Sequence, residues 1–355
     1  MSIHDDADRI REQIDGINST RVRLALFGQP GAGKSSLINR LVGRQLAPTG
    51  TKNDITRAEQ PYDWNGLHLV DLPGYGTPLF PADTYFEKFD IMSFDFFLCV
   101  FAGSRLTEND VSFFKRLKDE GKQILFVCNQ RDSLWSDDGT PIELIEKEIE
   151  DNLKEQISSE TIKLFFTSCR NKHGIGELSK QIWILLGNIN ERKQEVWARS
   201  AKAYSKDFLE EKRRACEKLV ALYAALSAAN TLNPIPGLDI SVDLGILIAL
   251  FKSVRDNYGL TDESLELAKN LFGPAAAQFI NNIIGFATKD GLIQLLKRFA
   301  GRAITKEFAK WIPIVGQLIS GGLAFGITMT AGTSYLNDCH SLAEKILERE
   351  LDTPK

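Results

Sequence analysis

The first half of the chain alternates short apolar runs with longer amphipathic segments. The apolar runs lie at residues 22–28, 66–74, 94–103, 123–132 and 161–170. The run at 94–103 suits a strand that is buried on both faces of a parallel sheet. Helical patterns lie before and between these runs, at 3–19, 37–43, 107–120, 143–157 and 176–187. This alternation predicts a doubly wound α/β fold.

The second half of the chain shows only helical patterns. After about residue 190 the strand signals stop, and long apolar helices are interrupted by proline and glycine. The interruptions fall at 233–237, 272–274, 290–291 and 312–316. We expect Gly187 to cap the last helix of the α/β region. The expected domains are an N-terminal helix in 1–20, an α/β domain in 21–187 and an all-α domain in 188–355.

Composition places the chain among globular proteins. Hydrophobic residues make up 43% and charged residues 25% of the 355 positions. The net charge of −4 is not that of a general nucleic-acid binder, so we expect no nucleic-acid partner. Five cysteines lie without metal-binding spacing, which indicates free thiols in a reducing compartment. The acidic N-terminus, with Ser2, is not a signal peptide or a myristoylation site, so we expect a cytoplasmic protein.

A phosphate-binding loop joins the first predicted strand to a helix. Residues 28–36 read GQPGAGKSS, in which Gly28, Gly33, Lys34 and Ser35 fit the pattern G-x-x-x-x-G-K-[ST]. Glycines let backbone N–H groups curl around phosphate oxygens, and the helix N-terminus adds its positive dipole. We expect Lys34 to bridge the β- and γ-phosphates and Ser35 to bind Mg²⁺.

Two further segments are expected to complete the phosphate and metal site. The sequence DLPG at 71–74 ends a strand, so Asp71 would hold Mg²⁺ through water and the Gly74 N–H would reach the γ-phosphate. Thr56 is our choice for the threonine that closes over Mg²⁺, with Thr49 and Thr51 as alternatives. The predicted catalytic set is Lys34, Ser35, Thr56, Asp71 and Gly74, and its expected metal ligands are Ser35, Thr56 and Asp71.

A guanine-reading segment follows the strand at 123–128. The sequence NQRD at 129–132 resembles the NKxD motif, in which the Asp carboxylate accepts two hydrogen bonds that adenine cannot donate. Gln130 stands where that motif has Lys, which is expected to weaken affinity. Ser168 and Cys169 lie where GTPases carry SA[KL]. The expected nucleotide-binding residues are Gly28, Gln29, Gly31, Ala32, Gly33, Lys34, Ser35, Ser36, Asn129, Gln130, Asp132, Ser168 and Cys169.

The position after DLPG bears on catalysis. Ras-type GTPases place Gln there to orient the attacking water, and this chain has Tyr75. We therefore predict a Mg²⁺-dependent GTPase, binding GTP and GDP, whose intrinsic turnover is slow or needs a group from elsewhere. A second protomer is one source of that group. Arg57, Glu59 and Arg105 are weaker candidates within the chain.

The motifs and the apolar helical half together resemble the immunity-related GTPases, which are dynamin-like, interferon-inducible-type proteins. The similarity rests on GQPGAGKSSLINRL and VDLPGYGTP, and on the helical stretches at 233–260 and 311–339. It implies a Ras-like P-loop G domain followed by an all-α helical domain. It also implies dimerisation through the nucleotide face and action at intracellular membranes in cell-autonomous defence. The short N-terminal segment fits a minimal or bacterial relative.

Two alternative functions stay open at the level of sequence. A ribosome- or RNA-associated GTPase would share the phosphate loop, but its C-terminal part would normally be basic. A nucleotide-binding scaffold with little catalysis would account for Tyr75 and Gln130.

Membrane contact is the third open question. Residues 219–238 and 311–337 contain no charged side chain, and 292–311 is basic and amphipathic. Buried core helices and a peripheral membrane-binding hairpin are both compatible with these patterns, and prolines and glycines interrupt both uncharged stretches.

Overall fold

The computed structural model describes residues 3–49, 59–159, 161–229, 244–286, 288–299 and 322–352. It divides into two compact units. One unit runs from Arg21 to Trp197, and the other joins the residues up to Thr20 to those from Ala198 onward. The N-terminal helix therefore belongs to the second unit, which is called the helical unit below.

The first unit is built around a mixed sheet. Its strands in chain order are β1 (Val22–Gly28), β2 (Gln60–Trp64), β3 (Leu67–Asp71), β4 (Phe96–Phe101), β5 (Gln123–Cys128) and β6 (Leu164–Phe166). Across the described part of this unit the order is β2-β3-β1-β4-β5-β6, and β2 is antiparallel to β3 while the other neighbouring strands pair in parallel. The predicted α/β class is confirmed, since parallel strands alternate with helices along the chain.

Strand β4 confirms that the apolar run at 94–103 is a strand buried on both faces of the sheet. All six of its residues are buried, because helices cover both faces of the sheet at this position. The edge strand β2 was not predicted, since its polar, Pro61-containing sequence QPYDW lacks the apolar run of a central strand. Proline is tolerated on an edge strand, where one backbone N–H faces away from the ladder.

Helices follow the strands of this unit. They are α2 (Lys34–Val42), α3 (Ala82–Lys88), α4 (Glu108–Asp119), α5 (Ile142–Ile157) and α6 (Ile175–Ile189). Helix α7 (Glu191–Ser200) begins in this unit, and its residues after Trp197 belong to the second unit. Helix α4 begins where the Thr107 side chain accepts a hydrogen bond from the Asp110 N–H, a usual N-cap arrangement. The expected C-cap at Gly187 is wrong, because α6 continues to Ile189. Gly187 instead lies against the end of the Gln194 side chain of α7, which would have to shift for a larger residue.

The strand order positions the site. β1 has β3 on one side and β4 on the other, so the connection after β1 runs to one side of this strand and the connection after β3 crosses to the other side. Ligands of open α/β sheets bind at such a switch point. The segments after β1, β3 and β5 all meet at this edge, because parallel strands share their carboxyl end.

The second unit is helical in its described residues. Its helices are α1 (Ile3–Ser19), α8 (Lys206–Ala229), α9 (Leu244–Asn257), α10 (Asp262–Phe272), α11 (Pro274–Phe286), α12 (Lys289–Phe299) and α13 (Gly322–Asp352). Ile10 and Ile14 of α1 are buried in the same core as α8 and α13. The helices approach one another closely in this core. A Cβ added at Gly332 of α13 would lie 2.7 Å from Val220 of α8 and 2.9 Å from Leu250 of α9.

The uncharged segments are only partly described. Residues 219–229 lie in α8 and 322–337 lie in α13, and most of their side chains are buried in the helical core. Residues 230–238 and 311–321 fall outside the described residues, as does the part of the basic stretch that follows Phe299. Among the residues that are described, none of the helices combines the length and apolar character needed to cross a membrane.

Candidate functional site

The phosphate loop runs from the end of β1 into α2, and two of its glycines are sterically required. Gly28 has φ 122° and Gly33 has φ 87°, a region that favours glycine. A Cβ at Gly28 would collide with the Val100 carbonyl of β4, and one at Gly33 would collide with the Asn129 side chain. The loop therefore packs closely against β4 and against the segment at 129–132.

Lys34 is the first residue of α2 and is held inside the loop. Its side chain is 8% exposed, and its Nζ donates to the carbonyls of Gly28 at 3.1 Å and Gln29 at 3.2 Å. The same ammonium lies 3.8 Å from Asp71 Oδ1. It thus stands at the helix N-terminus, where positive charge and backbone dipole would both face a phosphate. Gly31, Ala32 and Ser36 complete this loop and the first turn of α2.

The expected metal ligands Ser35 and Asp71 face one another. Ser35 Oγ lies 3.5 Å from Asp71 Oδ2. Asp71 is 3% exposed, and its Oδ1 accepts no hydrogen bond from the described residues. Burial raises the pKa of this carboxyl, while Lys34 and Ser35 act in the opposite direction. A hydroxyl and a carboxylate with a spare oxygen form a hard oxygen donor set that fits Mg²⁺. Thr56, the third expected ligand, lies outside the described residues, as do Thr51 and Arg57.

The turn after β3 exposes Gly74 and buries Tyr75. Gly74 lies at the surface, whereas Tyr75 is 8% exposed and stacks on Phe113 of α4, with ring centroids 4.7 Å apart. The ring of Tyr75 is thus part of the core. The side chain after DLPG therefore makes packing contacts in the core.

The segment at 129–132 is joined to the loop at 28–36 by hydrogen bonds from two side chains. Asn129 is 2% exposed, and its Nδ2 donates to the Ala32 carbonyl at 2.8 Å. Gln130 adopts a left-handed backbone with φ 61°, and its Nε2 donates to the Gly31 carbonyl at 2.7 Å. The amide of Gln130 therefore reaches the loop, although it brings no charge.

Asp132 is oriented by its neighbours in space. Its Oδ1 accepts a hydrogen bond from Ser168 Oγ at 2.5 Å, and its Oδ2 lies 3.5 Å from an Arg170 guanidinium nitrogen. Cys169 Sγ lies 3.5 Å from Asn129 Oδ1, and burial raises the pKa of this thiol to about 11. The structure thus brings residues 168–170 against the segment at 129–132.

Three residues around this segment were not predicted from sequence. Thr167 Oγ1 donates to Asn129 Oδ1 at 3.1 Å, and Arg40 Nε donates to the Cys169 carbonyl at 2.6 Å. Arg170 pairs with Asp132 as described above. Thr167 and Arg170 adjoin the predicted pair at 168–169, so their position could have suggested them. Nothing in the local sequence of α2 indicates the partner of Arg40.

Comparison with known proteins identifies the relationship. A model of the family "Interferon-inducible GTPase (IIGP)" matches residues 2–284. The chain belongs to the interferon-inducible GTPase family. This confirms the resemblance to immunity-related GTPases that the motifs and helical stretches indicated.

Relatives of this family match over most of the chain. The chain is 26% identical to Interferon-inducible GTPase 5 of Bos taurus, over 98% of this chain and 80% of that protein. It is 29% identical to T-cell-specific guanine nucleotide triphosphate-binding protein 2 of Mus musculus, over 72% of this chain and 65% of that protein. A solved structure of Toc33 from Arabidopsis thaliana, in complex with Mg²⁺ and GMPPNP, matches with 16% identity and a TM-score of 0.38. That match covers 54% of this chain and 94% of Toc33.

As an interferon-inducible GTPase, the chain is a dynamin-like protein that binds and hydrolyses GTP. The predicted GTPase activity is confirmed by this family assignment. The same assignment favours the GTPase over the RNA-associated and scaffold alternatives.

Proposed function

We propose that the site assembled at the carboxyl edge of the sheet binds GTP in one defined orientation. The loop at 28–36 would hold the phosphates, with Lys34 against the β- and γ-phosphates. Asp132 would accept hydrogen bonds from the guanine edge, and Asn129 would keep the two loops together. The observation that carries this proposal is the pair of bonds from Asn129 and Gln130 to the phosphate loop. These bonds join the segment at 129–132, which would read the base, to the loop at 28–36, which would bind the phosphates.

Ser35 and Asp71 would hold Mg²⁺ next to the phosphates. When bound, the ion would neutralise charge on the phosphate oxygens during transfer. Ser35 would bind it through the hydroxyl, and Asp71 would act through the carboxylate oxygen that has no hydrogen-bond donor among the described residues. Thr56 is retained as the expected third oxygen ligand.

Hydrolysis by a single copy of the chain would be slow. In Ras-type GTPases a Gln directly after DxxG orients the attacking water through its side-chain amide. Here that residue is Tyr75, whose ring packs against Phe113. We propose that a second copy, docked through the face of the G domain that carries the nucleotide, raises turnover.

The test is GTP turnover per chain, with Mg²⁺, measured across a wide range of protein concentration. We expect the specific activity to rise with concentration, because dimers form by mass action. Lys34→Ala is the control and should show no turnover at any concentration, since it removes the cation from the phosphate loop. A constant specific activity would contradict the dimer. Absence of turnover in the unmodified chain would contradict hydrolysis itself.

The same assay addresses a membrane surface. Repeating it with vesicles of anionic lipid would show a further rise in turnover if the helical unit concentrates the chain on the bilayer. Equal turnover with anionic and neutral vesicles would contradict a peripheral membrane role.

A further inference from the structure

One peptide group links the buried and exposed sides of the DLPG turn. Pro73 is buried and Gly74 is exposed, and the Pro73 carbonyl and the Gly74 N–H belong to the same peptide unit. In a planar trans peptide these two groups point in opposite directions. The described chain contains no cis peptide bond. Whatever fixes the Pro73 carbonyl therefore also fixes the direction of the Gly74 N–H.

A buried tyrosine fixes that carbonyl. Tyr85 of α3 is 0% exposed, and its hydroxyl donates to the Pro73 carbonyl at 2.5 Å. The donor is fully buried and Pro73 is buried as well, so this bond lies inside the core. The carbonyl is thus directed into the core, and the Gly74 N–H is directed away from it.

Aromatic packing holds the tyrosine in place. The Tyr85 ring makes edge contacts with Tyr75 at 5.1 Å and with Phe113 at 5.3 Å between centroids. Phe113 in turn meets Phe27, the residue before the phosphate loop, edge to face at 4.8 Å. Such edge-to-face pairs are favourable and directional. The cluster Phe27, Tyr75, Tyr85 and Phe113, here called the aromatic bridge, therefore joins the start of the phosphate loop to the DLPG turn.

We propose that Tyr85 is a positioning residue that holds the Gly74 N–H toward the γ-phosphate through the Pro73 carbonyl. This rests on the proposed function, in which the Gly74 N–H meets the γ-phosphate of GTP. GDP has no γ-phosphate, so the contribution of Tyr85 is confined to GTP. Tyr85 thereby raises the affinity for GTP relative to the affinity for GDP, and it does so through the Pro73 carbonyl from a fully buried position.

The test compares the affinities for GDP and for a non-hydrolysable GTP analogue, by calorimetry, in the unmodified chain and in Tyr85→Phe. The variant keeps the ring and the aromatic bridge and loses only the hydroxyl. We expect affinity for the GTP analogue to fall about tenfold, because the Gly74 N–H would no longer be held toward the γ-phosphate. This is the effect of losing one net hydrogen bond between the chain and the nucleotide. We expect affinity for GDP to stay unchanged, and GTP turnover at saturating substrate to fall.

Tyr335→Phe is the matched control. Tyr335 is also 0% exposed, its hydroxyl donates to the Ile283 carbonyl at 3.2 Å, and it lies in the helical unit. It loses the same kind of bond without affecting the DLPG turn. Its ratio of GTP-analogue affinity to GDP affinity should equal that of the unmodified chain, even if its thermal stability falls.

Two results with Tyr85→Phe would overturn the proposal: an unchanged affinity ratio, or an equal loss of affinity for both nucleotides. If that variant does not fold, Tyr75→Leu decides, because it removes the ring contact with Tyr85 and keeps an apolar side chain in the core. It should lower GTP-analogue affinity selectively, and an unchanged ratio would overturn the proposal. Failure of the unmodified chain to bind either nucleotide would instead overturn the proposed function.

Discussion

Asp132→Asn should convert the guanine site into one that prefers xanthine. The Ser168 hydroxyl donates to Asp132 Oδ1 at 2.5 Å, so the new amide would keep its oxygen at that position and place its NH₂ where Oδ2 now lies. Guanine presents two N–H donors, its N1–H and its exocyclic amine, to the two carboxylate oxygens of Asp132. Xanthine has a carbonyl in place of that exocyclic amine. The amide NH₂ therefore opposes a donor of guanine and matches an acceptor of xanthine.

The magnitude follows from the bonds exchanged. Hydrogen bonds to a charged group contribute about 1.5–3 kcal/mol each. The variant loses one such bond and also places the amide NH₂ of the new Asn against an N–H donor of guanine. Together these changes should cost about 3–5 kcal/mol, or roughly 10²- to 10⁴-fold in guanine affinity. Arg170, whose side chain is 85% exposed, can turn into solvent and adds little to this difference.

The assay is calorimetric titration with GDP, XDP and ADP, with Asp137→Asn as the control. Asp137 is exposed in the same loop, and its substitution makes the same change in charge. The control should bind GDP normally. Persistent preference for GDP over XDP in Asp132→Asn would refute the assignment of Asp132 as the base reader.

Two further substitutions test other contacts. Gln130→Lys should tighten binding of both GTP and GDP by about three- to tenfold, because an ammonium can keep the contact with the Gly31 carbonyl and adds charge. Gln130→Ala should weaken the binding of GTP and of GDP. Equal affinities for the unmodified chain and the two variants would contradict a role for the contact between Gln130 and Gly31. Lys212 is buried, its Nζ donates to the Asn257 carbonyl at 2.8 Å, and burial lowers its pKa to about 7. Above that pH the unfolded chain binds more protons than the folded one. The free energy of unfolding should therefore rise with pH, by up to about 1.4 kcal/mol per unit, relative to Lys212→Met. Denaturant unfolding of both chains between about pH 6 and 9 measures this, and parallel curves would contradict it.

Local sequence was sufficient for the phosphate loop and for most of the strands. The residues of GQPGAGKSS are contiguous in the chain. The loop that they form depends on their own backbone and on the helix that follows, so a short stretch of sequence is enough to predict it. The strands β1, β4 and β5 were predictable because burial on both faces imposes an apolar run. The edge strand β2 and the continuation of α6 past Gly187 were not, since packing against neighbours decided both.

The sequence by itself determined the fold class, the family and the order of the motifs. Only the tertiary structure decided where individual side chains go. The Gln130 amide reaches Gly31, Ser168 orients Asp132, and Tyr75 turns into the core. The Tyr85 hydroxyl reaches Pro73 in the same way. The physical reason is the range of the interaction. A motif acts through neighbours along the chain, whereas these bonds join segments that meet only because parallel strands share one edge of the sheet.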